Sequence, residues 1–499
     1  MYQDTKNFEI SDAVRKFLQK LHMHHINGDW TSGASDETIA VFDPATGLKI
    51  SEVISGTSED VDRAVKAARQ AFESGPWAQM NGYERGRLIQ KLSDRLAECA
   101  EEFAELEALD AGKPIVYARA ADIPTTVRVY SYHAGAASKI SGETLTPTMP
   151  GDFHAYTLRE PVGVVGVITP WNFPLLLTAM KLAPLLACGC TAVIKPSEVT
   201  PLSMLRLMDL IQEVGFPPGV VNVVTGYGDP VGSRIAAHEG IDKVSFTGSG
   251  ATGRKVLAAA GGNLKRVTLE LGGKSPMIVF PDADIDKAIP GLASAILFHQ
   301  GQVCTAGSRL FVPKSLHDRV VEGIADMAKN ISLGHSLDSK TNMGPMASQN
   351  QLDRVQRYLE QGKNEGADCV IGGTRPEGNG YFLTPTILTN TRPEMSVVKE
   401  EIFGPVLCVQ SYSDDDRNDA IRLANDTVFG LAASVWTKDL STAHKAAKKL
   451  RAGNVWINTH NIFDPALPFG GFKQSGWGRE QGSEVIRSYT EVKTVCAAL

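Results

Sequence analysis

Gly163-Val164-Val165-Gly166-Val167-Ile168 is an uncharged run of strand length, and Pro174 to about Cys188 follows it as a helical stretch. A strand with no polar alternation is one buried on both faces, the habit of parallel sheets. The rhythm then repeats. Thr191-Ala192-Val193-Ile194 is the next strand, and Pro201 opens another helix at its favoured N1 position. Val220-Val221-Asn222-Val223-Val224 and Lys243-Val244-Ser245-Phe246 continue the series. Strands alternating with helices predict a parallel sheet covered on both sides, with its ligand beyond the carboxyl ends of the strands.

Upstream, Thr57-Ser58-Glu59-Asp60 reads as a capped helix start, followed by Val61, Ala64, Val65, Ala68 and Phe72 at helical spacing. Two further periodic runs carry Leu88, Ile89, Leu92, Leu96 and then Phe103, Leu106, Leu109, the last stopped by Gly112. Phe42 to Gly47 reads as a turn between short strands. Residues 141–160 change character to a polar, alternating strand pair that leaves the main body. After about 272 the alternation restarts with Pro276 to Phe280, a helix near 284–298, and strands at 434–436 and 454–458. The closing Thr- and Val-rich segment, Ser488 to Val495, is a strand that pairs either with the 141–160 arm or with a partner subunit.

At 499 residues the chain exceeds one ordinary core, so two or more domains are expected. A net charge of -6 gives no electrostatic reason for nucleic acid or an anionic membrane as partner. No apolar run reaches the ~18–20 residues of a membrane span, and Met1 to Thr5 shows no signal-peptide pattern. Seven scattered cysteines point to a reducing compartment, hence a cytoplasmic protein. His22, His24 and His25 read as a solvated turn, and no metal is expected.

Chemistry concentrates in Gln300-Gly301-Gln302-Val303-Cys304-Thr305-Ala306-Gly307-Ser308-Arg309, a thiol among small and polar residues rather than in an apolar run. It reads as a nucleophile or as a buried loop thiol. Thr247-Gly248-Ser249-Gly250-Ala251-Thr252-Gly253 is a literal GxGxxG between a strand and a helix. It falls at least four units into the series rather than in the first, so the domain is a variant of the doubly wound type. Glu198 ends the second strand, where an acid would meet ribose hydroxyls and repel a 2'-phosphate, favouring NAD over NADP; it equally reads as a helix cap. Glu270 ends the Val267-Thr268-Leu269 run and reads as a general base or a surface acid. Asn172, between two aromatics, reads as an oxyanion donor or as the cap of its own turn.

Together, seven segments resemble the aldehyde dehydrogenase superfamily from about residue 26 to 495: ITPWNFP at 168–174, VIKPSE at 193–198, FTGSGATG at 246–253, LELGGKSP at 269–276, GQVCTAGSR at 301–309, EEIFGPV at 400–406 and PFGGFKQSG at 468–476. The resemblance implies an α/β fold with a variant doubly wound NAD-binding domain (1–140 and 161–272), a catalytic domain (273–480) and oligomerisation strands (141–160 and 481–499). It implies Cys304 as nucleophile, Glu270 as base, Asn172 with the Cys304 N–H as oxyanion hole, and Lys181 and Glu480 in a proton path behind the base. The cofactor would lie against Ile168, Thr169, Pro170, Trp171, Lys195, Ser197, Glu198, Gly228, Phe246, Gly248, Ser249, Leu271, Gly272, Glu401 and Phe403. NAD is favoured, with NADP as the alternative. Phe173, Leu177, Met180, Phe298, Val303, Thr305, Phe463 and Phe469 match pocket-lining positions. The segment Asn458 to Phe469 looks like that of phenylacetaldehyde dehydrogenases, so phenylacetaldehyde, oxidised to phenylacetate, is the expected substrate. The rival readings are an enzyme for aliphatic or retinoid-like aldehydes, using the same machinery, and a catalytically retired binding protein. The family suggests a homotetramer or a dimer.

Overall fold

The computed structural model describes residues 8–499; the segment Met1 to Thr5, on which the signal-peptide reading rests, lies outside them. The main sheet has eight strands. From one edge to the other they are Gly476–Trp477, Arg266–Glu270, Lys243–Thr247, Val164–Ile168, Thr191–Lys195, Val221–Val223, His24–Ile26 and Asp29–Thr31. The five central strands are parallel. Counted along the chain, their spatial order is 3-2-1-4-5, so the order reverses between Val164–Ile168 and Lys243–Thr247. A crevice opens at such a reversal because the crossovers on either side lead away in opposite directions.

The second sheet has seven strands, running Asp368–Ile371, Thr386–Thr389, Val406–Tyr412, Arg309–Pro313, Pro276–Val279, Ala432–Trp436 and Asn454–Ile457. Only the first pair is antiparallel. The chain returns to the first sheet at Gly476–Trp477, which pairs with Leu269 and Glu270. Residues just before 480 thus join the first sheet rather than the second. The final strand, Thr490–Ala498, pairs along its whole length with Phe153–Pro161 of its own chain, which also holds Thr144–Leu145.

Local signals explain the elements. Thr57 and Asp60 form a reciprocal capping box ahead of the helix Ser58–Glu73. Gly112, at φ 71°, ends the helix Ala100–Ala111 in a left-handed conformation that a side chain resists. The helix expected to open at Pro201 begins one residue later, at Leu202. The helix Pro174–Cys188 is buried at every residue, covering one face of the main sheet.

The histidine reading is corrected. His22, His24 and His25 sit in short strands and are buried, not solvated. Burial lowers each to a pKa of about 4, so they are neutral core side chains at neutral pH. Alternating pairing, not turn formation, organises this segment: His25 faces Val223 on one side and Trp30 on the other.

Candidate active site

The crevice is a cleft lined by Pro170, Trp171, Asn172, Leu177, Thr247, Gly248, Ser249, Glu270, Leu271, Gly272, Cys304, Gln351, Arg354, Glu401 and Phe403. Its walls come from the turns after the first and fourth parallel strands, the end of the fifth, two loops of the second sheet, and the helices that carry Leu177 and the pair Gln351 and Arg354. The fold therefore brings the thiol, two carboxylates and the asparagine to one place.

Cys304 is partly exposed in this cleft. Burial, then the facing carboxylates Glu401 and Glu270, push its thiol well up, while the Thr305 and Cys304 N–H groups pull the other way. The loop before it is rigidly specified. His299, Gln300 and Gly301 take consecutive left-handed conformations (φ 47°, 56° and 68°). For the two non-glycines this strain is on the order of 1–3 kcal/mol each and must be held by surrounding contacts. Gln300 supplies some, donating to the carbonyls of Gly112 at 2.9 Å and Pro345 at 2.6 Å. Gln302 accepts from the Ala347 N–H at 3.0 Å.

Asn172 does not cap its own turn. Its amide nitrogen donates to the Gln302 carbonyl at 2.9 Å, leaving a second N–H in the cleft wall. Glu270 is buried with no hydrogen-bond partner on either oxygen. Burial, reinforced by Glu480, raises its pKa well above the usual carboxylate range, and Lys181 opposes this. Lys181 and Glu480 form a buried ion pair behind it.

Glu401 accepts from the Gly273 N–H at 2.9 Å. A Cβ at Gly272 would stand 2.2 Å from the Glu401 carboxylate, and one at Gly273 would stand 2.4 Å from the Cys304 carbonyl oxygen. The double glycine is required by these close approaches. Phe403 is left-handed at φ 63°, its ring edge-on to Trp171 at 5.3 Å. Gly248 lies over the Phe246 ring, and the Ser249 hydroxyl caps the helix Gly250–Ala260 by accepting from Thr252 N–H. Ile168 and Thr169 sit at the end of the first strand. At the end of the second strand, Lys195 pairs with Glu198 at 3.2 Å, and the Ser197 hydroxyl accepts from the Val199 N–H. Those residues and Gly228 are outside the lined cleft; Gly228 opens the turn Gly228–Gly232, whose last residue lies beside the Lys195 stem.

The apolar positions divide between two cores. Leu177, Met180 and Phe469 belong to the first-sheet core, against which Cys304, Phe173 and Phe463 pack. Phe298 packs with Val303 in the core of the second, and Phe173 touches both. The Phe463 and Phe469 rings lie 5.0 Å apart, tilted by 42°, and those of Phe173 and Phe298 lie 6.2 Å apart. Val303 and Thr305 are buried; the Thr305 hydroxyl donates to Asn461 Oδ1 at 2.7 Å.

Sequence reasoning passed over several neighbours. Thr247, Gln351 and Arg354 line the cleft. Arg354 donates to the Glu401 carbonyl and Gln351 to that of Phe403. On the polar helix Gln349–Asn364 nothing marks these two apart from its solvated residues. Lys113 is buried, with its ammonium 4.0 Å from the centre of the Phe173 ring.

A doubly wound domain whose crevice holds a cysteine, a desolvated glutamate and an amide donor defines a class of thiol-bearing α/β enzymes. A model of the aldehyde dehydrogenase family matches residues 30–495, and the chain belongs to that family. It is 46% identical to aldehyde dehydrogenase, cytosolic 1, of Mus musculus over 97% of both proteins. It is 44% identical to the betaine aldehyde dehydrogenase of Bacillus subtilis (strain 168), over 94% of this chain and 96% of that one. The solved NAD+ complex of an aldehyde dehydrogenase from Bacillus cereus superposes with a TM-score of 0.97 at 47% identity, covering 99% of this chain and 100% of that one.

Proposed function

We propose that this protein oxidises an aldehyde to a carboxylic acid with NAD, through a covalent thioester on Cys304. The observation that carries the reading is the convergence of Cys304, Glu270 and Asn172 in one cleft at the strand-order reversal. The same cleft fits a dinucleotide: its wall is bare at Gly248 and Gly272, and a helix N-terminus opens beside it at Gly250. Glu198 and Lys195 would hold the adenosine ribose, and Glu401 the nicotinamide ribose, with Phe403 packed alongside. The Glu198 carboxylate, about a third exposed at the end of the second strand, disfavours a 2'-phosphate and so NADP. When bound, NAD supplies the acceptor for the hydride that leaves the aldehyde carbon.

The side chains do the rest. Cys304 must lose its proton to attack, and Glu270, a carboxylate facing the thiol in the same cleft, receives it once ionised. Sulfur adds to the carbonyl carbon, and the oxygen gains charge beside the free N–H of Asn172 and the Cys304 N–H. Loss of hydride leaves a thioester. Once the first proton has left through the Lys181–Glu480 pair, Glu270 takes a proton from water as its oxygen attacks, and the carbon–sulfur bond breaks to free the acid. The Lys181–Glu480 pair holds and moves that proton behind the base.

For the substrate we infer an arylacetaldehyde, phenylacetaldehyde first. Leu177 lines the cleft with Cys304, and Cys304, Phe173 and Phe463 pack against the core that holds Leu177, Met180 and Phe469, with Phe298 beside Phe173; this aromatic and aliphatic surface supports the reading. We also infer a cofactor domain, a catalytic domain and an oligomerisation sheet, a cytoplasmic location consistent with seven free thiols, and a homotetramer. Leu145, Leu158 and Val492, all exposed on the small terminal sheet, support its use as an interface. Light scattering tests the assembly.

Comparing kcat/KM for phenylacetaldehyde, hexanal, betaine aldehyde and succinic semialdehyde tests the substrate; preference for either of the last two overturns it. Cys304→Ala tests the chemistry. It should abolish NAD reduction while sparing NAD binding, and surviving activity would rule out the covalent route.

A further inference from the structure

Two neighbouring strands of the main sheet break the apolar rule of a buried parallel sheet. Lys243–Thr247 presents Lys243, Ser245 and Thr247 on one face, and Arg266–Glu270 sets Arg266, Thr268 and Glu270 beside them in register. The next strand continues that face with Val165 and Val167, which pack in the core under the helix Pro174–Cys188. Two files of polar side chains therefore run from the cleft, where Thr247 and Glu270 line the wall, to Arg266. That residue is half exposed and paired with Glu491 at 2.5 Å.

Lys181, Glu480 and Tyr489 close over this strip. The Tyr489 hydroxyl donates to Ser245 Oγ at 3.3 Å, and the Thr268 hydroxyl donates to the same oxygen at 3.2 Å. Lys243 is wholly buried, its ammonium 5.1 Å from the centre of the Tyr489 ring. The charged and titratable groups facing it are Lys181 from the helix, Cys190 from the turn after it, Glu480 from the returning chain and Arg266 from the neighbouring strand. Two lysines and two carboxylates, Glu270 and Glu480, are thus buried along one strip. Burial, then Lys181, bring Lys243 down to about 7, so it gains and loses protons at neutral pH.

We propose that Lys243 is a positioning residue for hydrolysis: it receives, by way of Glu480 and Lys181, the proton that Glu270 takes from the attacking water, and releases it toward the Arg266 edge of the sheet. The inference rests on the reading given under Proposed function. In each turnover the water oxygen bonds to the thioester carbon, its proton goes to Glu270, and sulfur leaves with the carbon–sulfur electron pair. The proton passes to the Glu480 carboxylate and on to Lys181 as Lys181 gives one to neutral Lys243. Lys243 returns it to solvent, and Glu270 is again a base. No electrons move in this relay.

The test is rapid-mixing and steady-state NADH formation by Lys243→Met and Lys243→Arg, across pH. In both variants the first-turnover burst and the KM for NAD should stay within about twofold of the unmodified enzyme. Their steady-state kcat should fall by about tenfold or more, within the range of positioned proton transfer. The kcat profile should lose its inflection near 7. Arginine keeps a cation but does not release protons, so recovery of kcat in Lys243→Arg overturns the proposal. An unchanged profile, or loss of burst and steady state together, also overturns it. If Lys243→Met does not fold, Lys243→Arg carries the same test. Absence of any NADH from the unmodified enzyme would count against the aldehyde-oxidising reading instead.

Discussion

The side-chain amide of Asn172 donates to the backbone carbonyl of Gln302 across 2.9 Å, joining the turn after the first parallel strand to the loop that carries Cys304. One N–H of the amide is spent on holding the loop, and the other is aimed by that bond. The same residue therefore orients the nucleophile and offers a donor to the oxygen.

Asn172→Ala should lower kcat/KM by about 10²–10³, the usual effect of losing one oxyanion donor. The burst rate of NADH should fall with it. Retention of a full-rate burst would mean that the amide serves only the loop.

Activity should rise with pH on the acidic side. Cys304 and Glu270 both have raised pKa values, so their working, ionised forms are scarce at low pH and grow as pH increases. Iodoacetamide inactivation of the free enzyme should accelerate from pH 6 to pH 9 in step with Cys304 labelling. A flat profile would show that the thiol is already ionised.

Glu270→Gln should leave a burst of NADH close to one per site and a steady state reduced by on the order of 10²–10⁴. Stopped-flow with acid-quench detection of the acyl enzyme reads both. Undiminished turnover excludes Glu270 as the base of hydrolysis.

Glu480→Leu should destabilise the fold strongly. It leaves the fully buried Lys181 ammonium without its carboxylate, a loss of about 3–5 kcal/mol for a broken buried pair. Denaturant unfolding measures it, and Lys181→Met combined with Glu480→Leu should recover much of the loss.

Gly272→Ala should raise the KM for NAD and lower kcat, because its methyl would displace the Glu401 carboxylate. Gly261→Ala, at a right-handed helix end with open space around it, should change neither. Steady-state kinetics of the pair separates crowding from backbone effects.

The main sheet was legible because Val164–Ile168 and the Ala192-Val193-Ile194 stretch of the next strand are apolar on both faces, as a covered parallel sheet requires. The helix Ile123–Ala136 was not, since Pro124 and the β-branched Thr125, Thr126, Val127 and Val129 mask its period. Cys304, Glu270 and Asn172 were legible as motifs, but their alternatives closed only with coordinates: the partner of Asn172 is a carbonyl 130 residues away. His22, His24 and His25 were misread because polar composition says nothing about which short strands will be overlaid. Gln351 and Arg354 carried no signal, being ordinary members of a polar helix.

Gly272 and Gly273 are clasped between Glu401 on one side and the Cys304 backbone on the other. Neither has a side chain that could flex and absorb a disturbance. Displacement of the acid that we assign to the cofactor would therefore press on main chain that abuts the nucleophile's own backbone, with no side chain between them.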